Sequence, residues 1–106
     1  MYFIVDAYMK EEKSRKAYDE YIRKVKSIVE SYGGRYLLRS EKIEALSQKR
    51  KPQRVIIIHF PDRAHLEKCF ASEEYQEIMA LREENVDARA LIIEEEEENE
   101  GTSDQN

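Results

Sequence analysis

The sequence predicts one α+β domain with the element order β-α-β-β-α-β, and two observations support this. Short β-branched and aromatic runs alternate with longer segments whose apolar residues recur at helical spacing. The two halves also follow similar patterns, which is typical of the ferredoxin-like fold, a four-stranded antiparallel sheet with both helices on one face. We expect the first and third strands to be central, parallel neighbours, and the domain to span residues 1–93.

The first half of the pattern contains two strands and one helix. Tyr2–Met9 is short and β-branched and predicts the first strand. From Ser14, which we take as the N-cap, apolar residues follow one face of a helix for four turns, and Gly33-Gly34 ends it. Arg35–Ser40 predicts the second strand, which we expect to bulge at its polar end and to continue to Leu46.

The second half repeats this order. Arg54–Phe60 is almost continuously apolar, which predicts a central strand buried on both faces. Asp62 has the residue type and position of an N-cap, and a break near Ala71-Ser72 predicts two short helices in place of one. Arg89–Ile93 predicts the last strand.

Acidic residues concentrate at the end of the chain. Of the 23 acidic residues, seven lie in 94–106, where no basic residue occurs, which leaves 16 acidic against 18 basic residues in 1–93. We therefore expect 94–106 to be a disordered acidic tail, and the net charge of −5 to belong to that tail. A large nucleic-acid interface is not expected for such a chain.

The residue types exclude several kinds of site. A single cysteine, Cys69, rules out an internal disulfide framework and a cysteine-based zinc cluster, and two dispersed histidines make no metal motif. We expect no metal and no cofactor. No apolar run approaches the roughly 18 residues of a membrane span and no signal peptide is recognisable, so the expected compartment is the cytoplasm.

Strand alternation sorts the strand residues into two faces. One face is almost wholly apolar, and we expect the helices to cover it: Phe3, Val5, Ala7, Tyr36, Leu38, Ile56, Ile58, Phe60, Ala90 and Ile92. The other face mixes large apolar residues with charges: Tyr2, Ile4, Asp6, Tyr8, Arg35, Leu37, Arg39, Val55, Ile57, His59, Arg89, Leu91 and Ile93. Such an apolar area is too large for a monomer. We therefore expect a homodimer in which two sheets enclose a partly polar cavity, as in an eight-stranded barrel.

Three charged or titratable residues of that second face form the candidate site. Asp6 and His59 are expected near the same ends of adjacent strands, and Arg39 beside His59 if the second strand continues to Leu46; a tight turn would bring Arg35 there instead. Arginine can hold a carboxylate or phosphate by two hydrogen bonds, histidine can transfer a proton, and a carboxylate can fix the histidine tautomer. The alternative is a set of ion pairs that only orients the dimer.

Tyrosines are further candidates for a pocket lining. Tyr8, Tyr36 and Tyr75 lie at strand or helix positions from which they either line a pocket or pack with a hydrogen-bonded hydroxyl. With Asp6 and Arg39, Tyr8 completes the expected ligand-binding set, and His59 is the candidate catalytic residue.

Three ordered blocks resemble the family of domain of unknown function 1330. Tyr32–Arg39 is similar to its Y-G-G-[KR]-[YF]-L-x-R signature, Pro52–Pro61 to its P-x-R-x-V-[IV]-[IV]-E-F-P segment, and Ser72–Gln76 to its S-P-E-Y-Q segment. Arg82 falls where family members often carry arginine, whereas His59 replaces the usual glutamate. The resemblance implies the dimeric α/β-barrel, ferredoxin-like fold.

The sequence therefore leaves two alternative functions open. One is a dimeric small-molecule-binding protein, extending to a cofactor-independent enzyme that acts on a small anionic or carbonyl substrate. The other is a non-catalytic homodimer whose internal charges are structural. An enclosed cavity reached by Arg39 and His59 would favour the first, and a closed ion-pair network without free volume would favour the second.

Overall fold

The fold is that of a computed structural model, which describes residues 1–96. The elements are β1 (Tyr2–Met9), α1 (Ser14–Ser31), β2 (Arg35–Ser40), β3 (Arg54–His59), α2 (Arg63–Ala71), α3 (Glu73–Asn85) and β4 (Val86–Ile93). This confirms the predicted α+β order, including the division of the second helical region. Most of the predicted acidic tail, 97–106, lies outside the described residues.

The strands form one sheet in the order β2-β3-β1-β4, with every neighbouring pair antiparallel. β1 and β3 are central as predicted, but the prediction that they are parallel is wrong. The connection through α1 makes β2 run in the direction of β1, and the turn into β3 then reverses the chain. Tyr2 consequently lies opposite His59, and Asp6 lies opposite Val55.

A bulge in β2 changes which residues face the helices. Tyr36 pairs with Ile58, but Leu38 pairs with Ile57, so Leu37 is an extra residue without a partner. Because an extra residue reverses the alternation of sides, Leu38 lies on the face turned away from the helices, and Arg39 lies on the helix side. The alternation of the sequence had predicted the reverse, with Leu38 under the helices and Arg39 on the other face. The bulge was also expected later, and β2 ends at Ser40 without continuing to Leu46.

Capping residues set the helix boundaries. Asp62 and Ser72 cap α2 and α3 as predicted, since their side chains accept hydrogen bonds from the backbone N–H groups of His65 and Tyr75. The prediction for α1 is wrong by one residue, because Lys13 is its N-cap and Ser14 is buried in the first turn.

The Gly33-Gly34 pair ends α1 and joins it tightly to the sheet. Gly33 has φ of 87°, a conformation that favours glycine, and the N–H of Gly34 donates to the carbonyl oxygen of Val29 over 2.9 Å. A Cβ atom on Gly34 would clash with the side chain of Val29 and come within 3.0 Å of Phe60. Both glycines of the family signature thus have a structural reason.

The core lies between the sheet and the helices. Tyr18 and Val29 of α1 pack there with Phe60, and Cys69 of α2 is wholly buried. Burial raises the pKa of the Cys69 thiol to about 11, so this cysteine is an unreactive packing residue. The open face, which we define as the side of the sheet turned away from the helices, is not covered by any helix of residues 1–96.

Candidate functional site

A cavity of about 280 Å³ lies between the helix layer and the sheet of a single chain. Its walls are mostly apolar, because the helix-facing side chains of the central strands meet the inner sides of α1, α2 and α3. Six of the residues that line it are Phe3, Val25, Ile56, Ile58, Phe70 and Met79. The sequence predicted a cavity on the opposite side of the sheet, between two subunits.

The cavity contains a chain of three polar groups. The hydroxyls of Tyr21 and Tyr75 are hydrogen-bonded over 2.9 Å, and Nε of Arg82 donates to the Tyr75 hydroxyl over 3.1 Å. Tyr21 comes from α1, whereas Tyr75 and Arg82 lie seven positions apart on α3, which is two helical turns and so the same side of the helix. The packing of α1 against α3 therefore assembles the group.

The tyrosines of this cavity are neutral hydrogen-bonding groups. Burial raises the pKa of Tyr21 far above its ordinary value of 10.0, and the charge and hydrogen bond of Tyr75 add to the effect. Burial also raises the pKa of Tyr36 and of Tyr18, although nearby arginines oppose it in both cases. None of the three is ionised near neutral pH.

Arg82 is the one charged group among the described residues that line the cavity. Arginine remains protonated in proteins, so the guanidinium carries a full positive charge. The nearest acid is Glu83, whose Oε2 lies 4.0 Å from Nη2 at the surface, too far for a hydrogen bond. The cavity thus has a cation at one point and apolar walls around it.

A compensated ion-pair network lies beside Tyr18 of α1. The guanidinium of Arg54 stacks on Tyr18, 5.3 Å from the ring centroid, and donates to Glu41, which also accepts from Arg15 over 2.7 Å. Burial of Glu41 opposes its ionisation, but these hydrogen bonds outweigh it and hold the pKa of the carboxyl below its ordinary value of 4.5.

The structure does not bring Asp6, Arg39 and His59 together. Asp6 lies on the open face, where Arg50 donates to both of its carboxylate oxygens, from Nε over 2.6 Å and from Nη2 over 3.0 Å. His59 lies at the other end of the central strands, because these strands are antiparallel. No shared site can form from these two side chains within one chain.

Arg39 and Tyr8 also occupy positions away from His59. Arg39 stacks on Tyr36, 5.6 Å from the ring centroid, on the helix side of the sheet. The Tyr36 ring lines the cavity, whereas Arg39 itself is exposed and is not one of the lining residues. Tyr8 is on the open face, where the guanidinium of Arg89 lies 4.6 Å from its ring centroid.

The neighbour of His59 on β2 is Arg35, which was the alternative to Arg39 in the sequence analysis. Arg35 lies opposite His59 on β2, and the rings of Tyr2 and His59 meet edge to face at 5.3 Å. The binding role of Arg39, Asp6 and Tyr8 and the catalytic role of His59 stay predictions.

Sequence reasoning identified part of the cavity and missed the rest. Of the three tyrosines considered as a pocket lining, Tyr36 and Tyr75 line the cavity, whereas Tyr8 does not. Tyr21 was interpreted only as part of the apolar stripe of α1, and Arg82 only through its helical spacing and the family resemblance. The available signal was a stripe that carries Tyr18 and Tyr21 where aliphatic residues would pack as well, since buried phenols need polar partners.

An apolar row crosses all four strands on the open face. Leu38 lies opposite Ile57, Ile57 opposite Ile4, and Ile4 opposite Leu91. Leu91 is 58% exposed and Leu38 45%. On one side of this row lie Asp6 and Arg89, and on the other lie His59 and Arg35. The open face therefore has an apolar centre between two polar margins.

Within residues 1–96, no group of three or more histidine, cysteine, aspartate or glutamate side chains is arranged to hold a metal ion. In the same part of the chain, no helix is long and apolar enough to cross a bilayer.

Comparisons with known proteins agree with this fold. The model of the family described as domain of unknown function 1330 matches residues 1–96. A protein of unknown function from Rhodopseudomonas palustris is 19% identical with a TM-score of 0.74, and the alignment covers 85% of this chain and 77% of that one. No curated protein matches the chain significantly.

Two further solved structures are similar in fold. A dimeric ferredoxin-like protein of unknown function from Jannaschia sp. CCS1 is 14% identical with a TM-score of 0.61, covering 87% of this chain and 97% of that one. A protein described as an antibiotic biosynthesis monooxygenase is 16% identical with a TM-score of 0.61, covering 92% of this chain and all of that one. At such identities the likeness concerns the fold alone.

Proposed function

The chain belongs to the family of domain of unknown function 1330, and we propose that it binds a small, largely apolar molecule in the cavity between its helices and its sheet. The observation that carries this proposal is a cavity of about 280 Å³ with apolar walls and a few convergent polar groups. Ligand sites in proteins typically have about 300 Å³ or more and this same composition. The volume suits a small metabolite.

The cavity is the better candidate than the predicted site on the open face. The core of a small domain is normally close-packed, because empty space loses dispersion contacts. An unfilled volume of this size inside the core therefore favours a site that a ligand occupies. The Asp6–Arg50 pair, in contrast, already satisfies both of its charges. This pairing supports the structural interpretation of the open-face charges, while binding is assigned to the opposite side of the sheet.

A neutral apolar dye tests the proposal. We expect N-phenylnaphthylamine to bind saturably, with one site per chain, and to gain fluorescence as it leaves water. Ala88 lines the cavity on β4, so Ala88→Leu should fill part of the space and weaken dye binding by about tenfold. Ala80 is exposed on α3, so Ala80→Leu is the matched control and should bind the dye like the unaltered protein. Failure to bind the dye, or equal binding by Ala88→Leu, would exclude the cavity as a site.

We also propose that a second copy of the chain covers the open face. The apolar row from Leu38 to Leu91 lies between polar margins, which is the pattern of a protein interface with an apolar core and a polar rim. Ile93 beside it is 44% exposed. The dimeric state described for the Jannaschia protein supports a dimer, although that description does not name the interface.

Sedimentation tests this assembly. The chain has a mass of 12.6 kDa, so the dimer should sediment at twice that mass. Ile57 lies in the middle of the apolar row, and Ile57→Asp would bury a charge at the interface, which is strongly unfavourable. We expect a folded monomer, whereas Ala80→Asp on α3 should remain dimeric. A stable dimer of Ile57→Asp would show that another surface forms the interface.

A further inference from the structure

We propose that the molecule in the cavity carries a carboxylate or a similar anionic oxygen, which binds to Arg82 and to the tyrosine pair. This inference rests on the proposed function, because it names the chemical class of the ligand in the same cavity. It follows from the hydrogen-bond and charge balance of three residues: Tyr21, Tyr75 and Arg82.

The tyrosine pair has one more proton than its internal hydrogen bonds use. The Tyr75 oxygen accepts from Nε of Arg82, so the two hydroxyls share a single bond to each other. If Tyr75 donates to Tyr21, the Tyr21 proton is left over; if Tyr21 donates to Tyr75, the Tyr75 proton is left over. In either arrangement one O–H group is free to donate to a ligand oxygen.

Arg82 adds further donors and a charge. Its Nε is used by Tyr75, while the remaining guanidinium N–H groups form no hydrogen bond with a carboxylate among the described residues. A carboxylate ligand accepts two parallel N–H bonds from a guanidinium. Since apolar side chains line most of the cavity and the Arg82 side chain is 26% exposed, this charge pair would be less screened than a fully exposed one.

The rest of the cavity selects an apolar body for that anion. Phe70 contacts Phe3 at 5.0 Å and Tyr75 at 4.9 Å between ring centroids, so aromatic surfaces lie beside the polar group. Arg39, which is stacked on Tyr36, adds positive potential near the cavity, whereas the charge of Arg54 is compensated by Glu41. A small monocarboxylate with a flat or branched hydrocarbon part satisfies both requirements.

Competition between two ligands of equal shape tests the charge. Naphthoate and naphthamide are matched in size, but only naphthoate is an anion at pH 7.5. We expect naphthoate to displace N-phenylnaphthylamine at a concentration at least about tenfold lower than naphthamide, which is typical for a hydrogen bond to a charged group. Equal displacement by the two compounds would overturn the proposal.

Variants of Arg82 assign the preference to this residue. Arg82→Gln should bind the neutral dye but lose the preference for naphthoate, and Arg82→Lys should keep part of it. Arg89→Gln changes an arginine on the open face and should keep the full preference. A preference for naphthoate that survives Arg82→Gln would overturn the assignment to Arg82. If Arg82→Gln does not fold, the assignment is tested by Arg82→Lys and by the two ligands on the unaltered protein. If the neutral dye itself does not bind, the proposed function fails instead.

Discussion

Arg50 holds the carboxylate of Asp6 by two hydrogen bonds, across 44 positions of the sequence. The Asp6 side chain is 12% exposed in this arrangement, whereas Arg50 reaches it from the loop between β2 and β3 and is largely exposed. The pair therefore ties that loop to the central strand β1, and the carboxylate depends on it for compensation.

We predict that Arg50→Gln lowers the thermal midpoint by a few degrees, because it leaves the nearly buried Asp6 carboxylate without its cation. Adding Asp6→Asn should recover most of the loss, since an amide needs no countercharge. Differential scanning calorimetry of the two single variants and the double variant measures this coupling. Additive losses in the double variant would mean that the two side chains do not depend on each other.

Arg39 should contribute little to stability. It is exposed, forms no ion pair within the described residues, and makes only a stacking contact with Tyr36. We expect Arg39→Leu to change the free energy of unfolding by less than about 1 kcal/mol. Arg54→Leu is the control, because Arg54 is only 11% exposed and paired with Glu41; it should cost clearly more in urea denaturation. A large loss in Arg39→Leu would reveal a structural partner.

The Glu41 network predicts a dependence of stability on pH. Since the folded-state pKa of Glu41 lies below its ordinary value of 4.5, its stabilisation is present above that value and is lost as the pH falls through the lowered one. Glu41→Gln should therefore be less stable at pH 7, on the order of 1 kcal/mol, and the difference should be smaller near about pH 3, because the carboxyl binds protons more readily there. Urea titrations at both pH values measure the difference. A gap that stays constant down to that pH would contradict the role of the ionised carboxylate.

The two cavity tyrosines should differ in the cost of losing their hydroxyls. Tyr21→Phe leaves the Tyr75 hydroxyl bonded to Arg82, so we expect a loss of about 1 kcal/mol. Tyr75→Phe removes a partner from both Tyr21 and Arg82, and the loss should be about 2 kcal/mol. Chemical denaturation of both variants gives the order. The reverse order would mean that Arg82 does not depend on Tyr75.

Local sequence signals were sufficient for most of the fold. Helical spacing placed α1, and the side chains of Asp62 and Ser72 marked the starts of α2 and α3, because capping depends on a few neighbouring residues. The Gly33-Gly34 pair likewise marked the end of α1. Each of these predictions needed only information within about one helical turn.

The candidate site depended on two long-range facts that no local pattern contains. Strand direction decided whether Asp6 and His59 share an end of the sheet, and the bulge at Leu37 decided the side on which Arg39 lies. One extra residue reverses every later side chain of a strand, and nothing in Leu37-Leu38 distinguishes the inserted residue. Tyr21 and Arg82 were missed because their meeting depends on how α1 packs against α3.

The bulge in β2 also limits how the sheet can grow. β2 and β4 are the two outer strands, and a sheet polymerises without end only if both of its edges accept a new strand. A bulge disrupts the regular spacing of the free N–H and C=O groups along the β2 edge, which makes that edge a poor template. Addition at β4 would therefore stop after one partner, so we expect the insertion of Leu37 to oppose the growth of the sheet into a fibril.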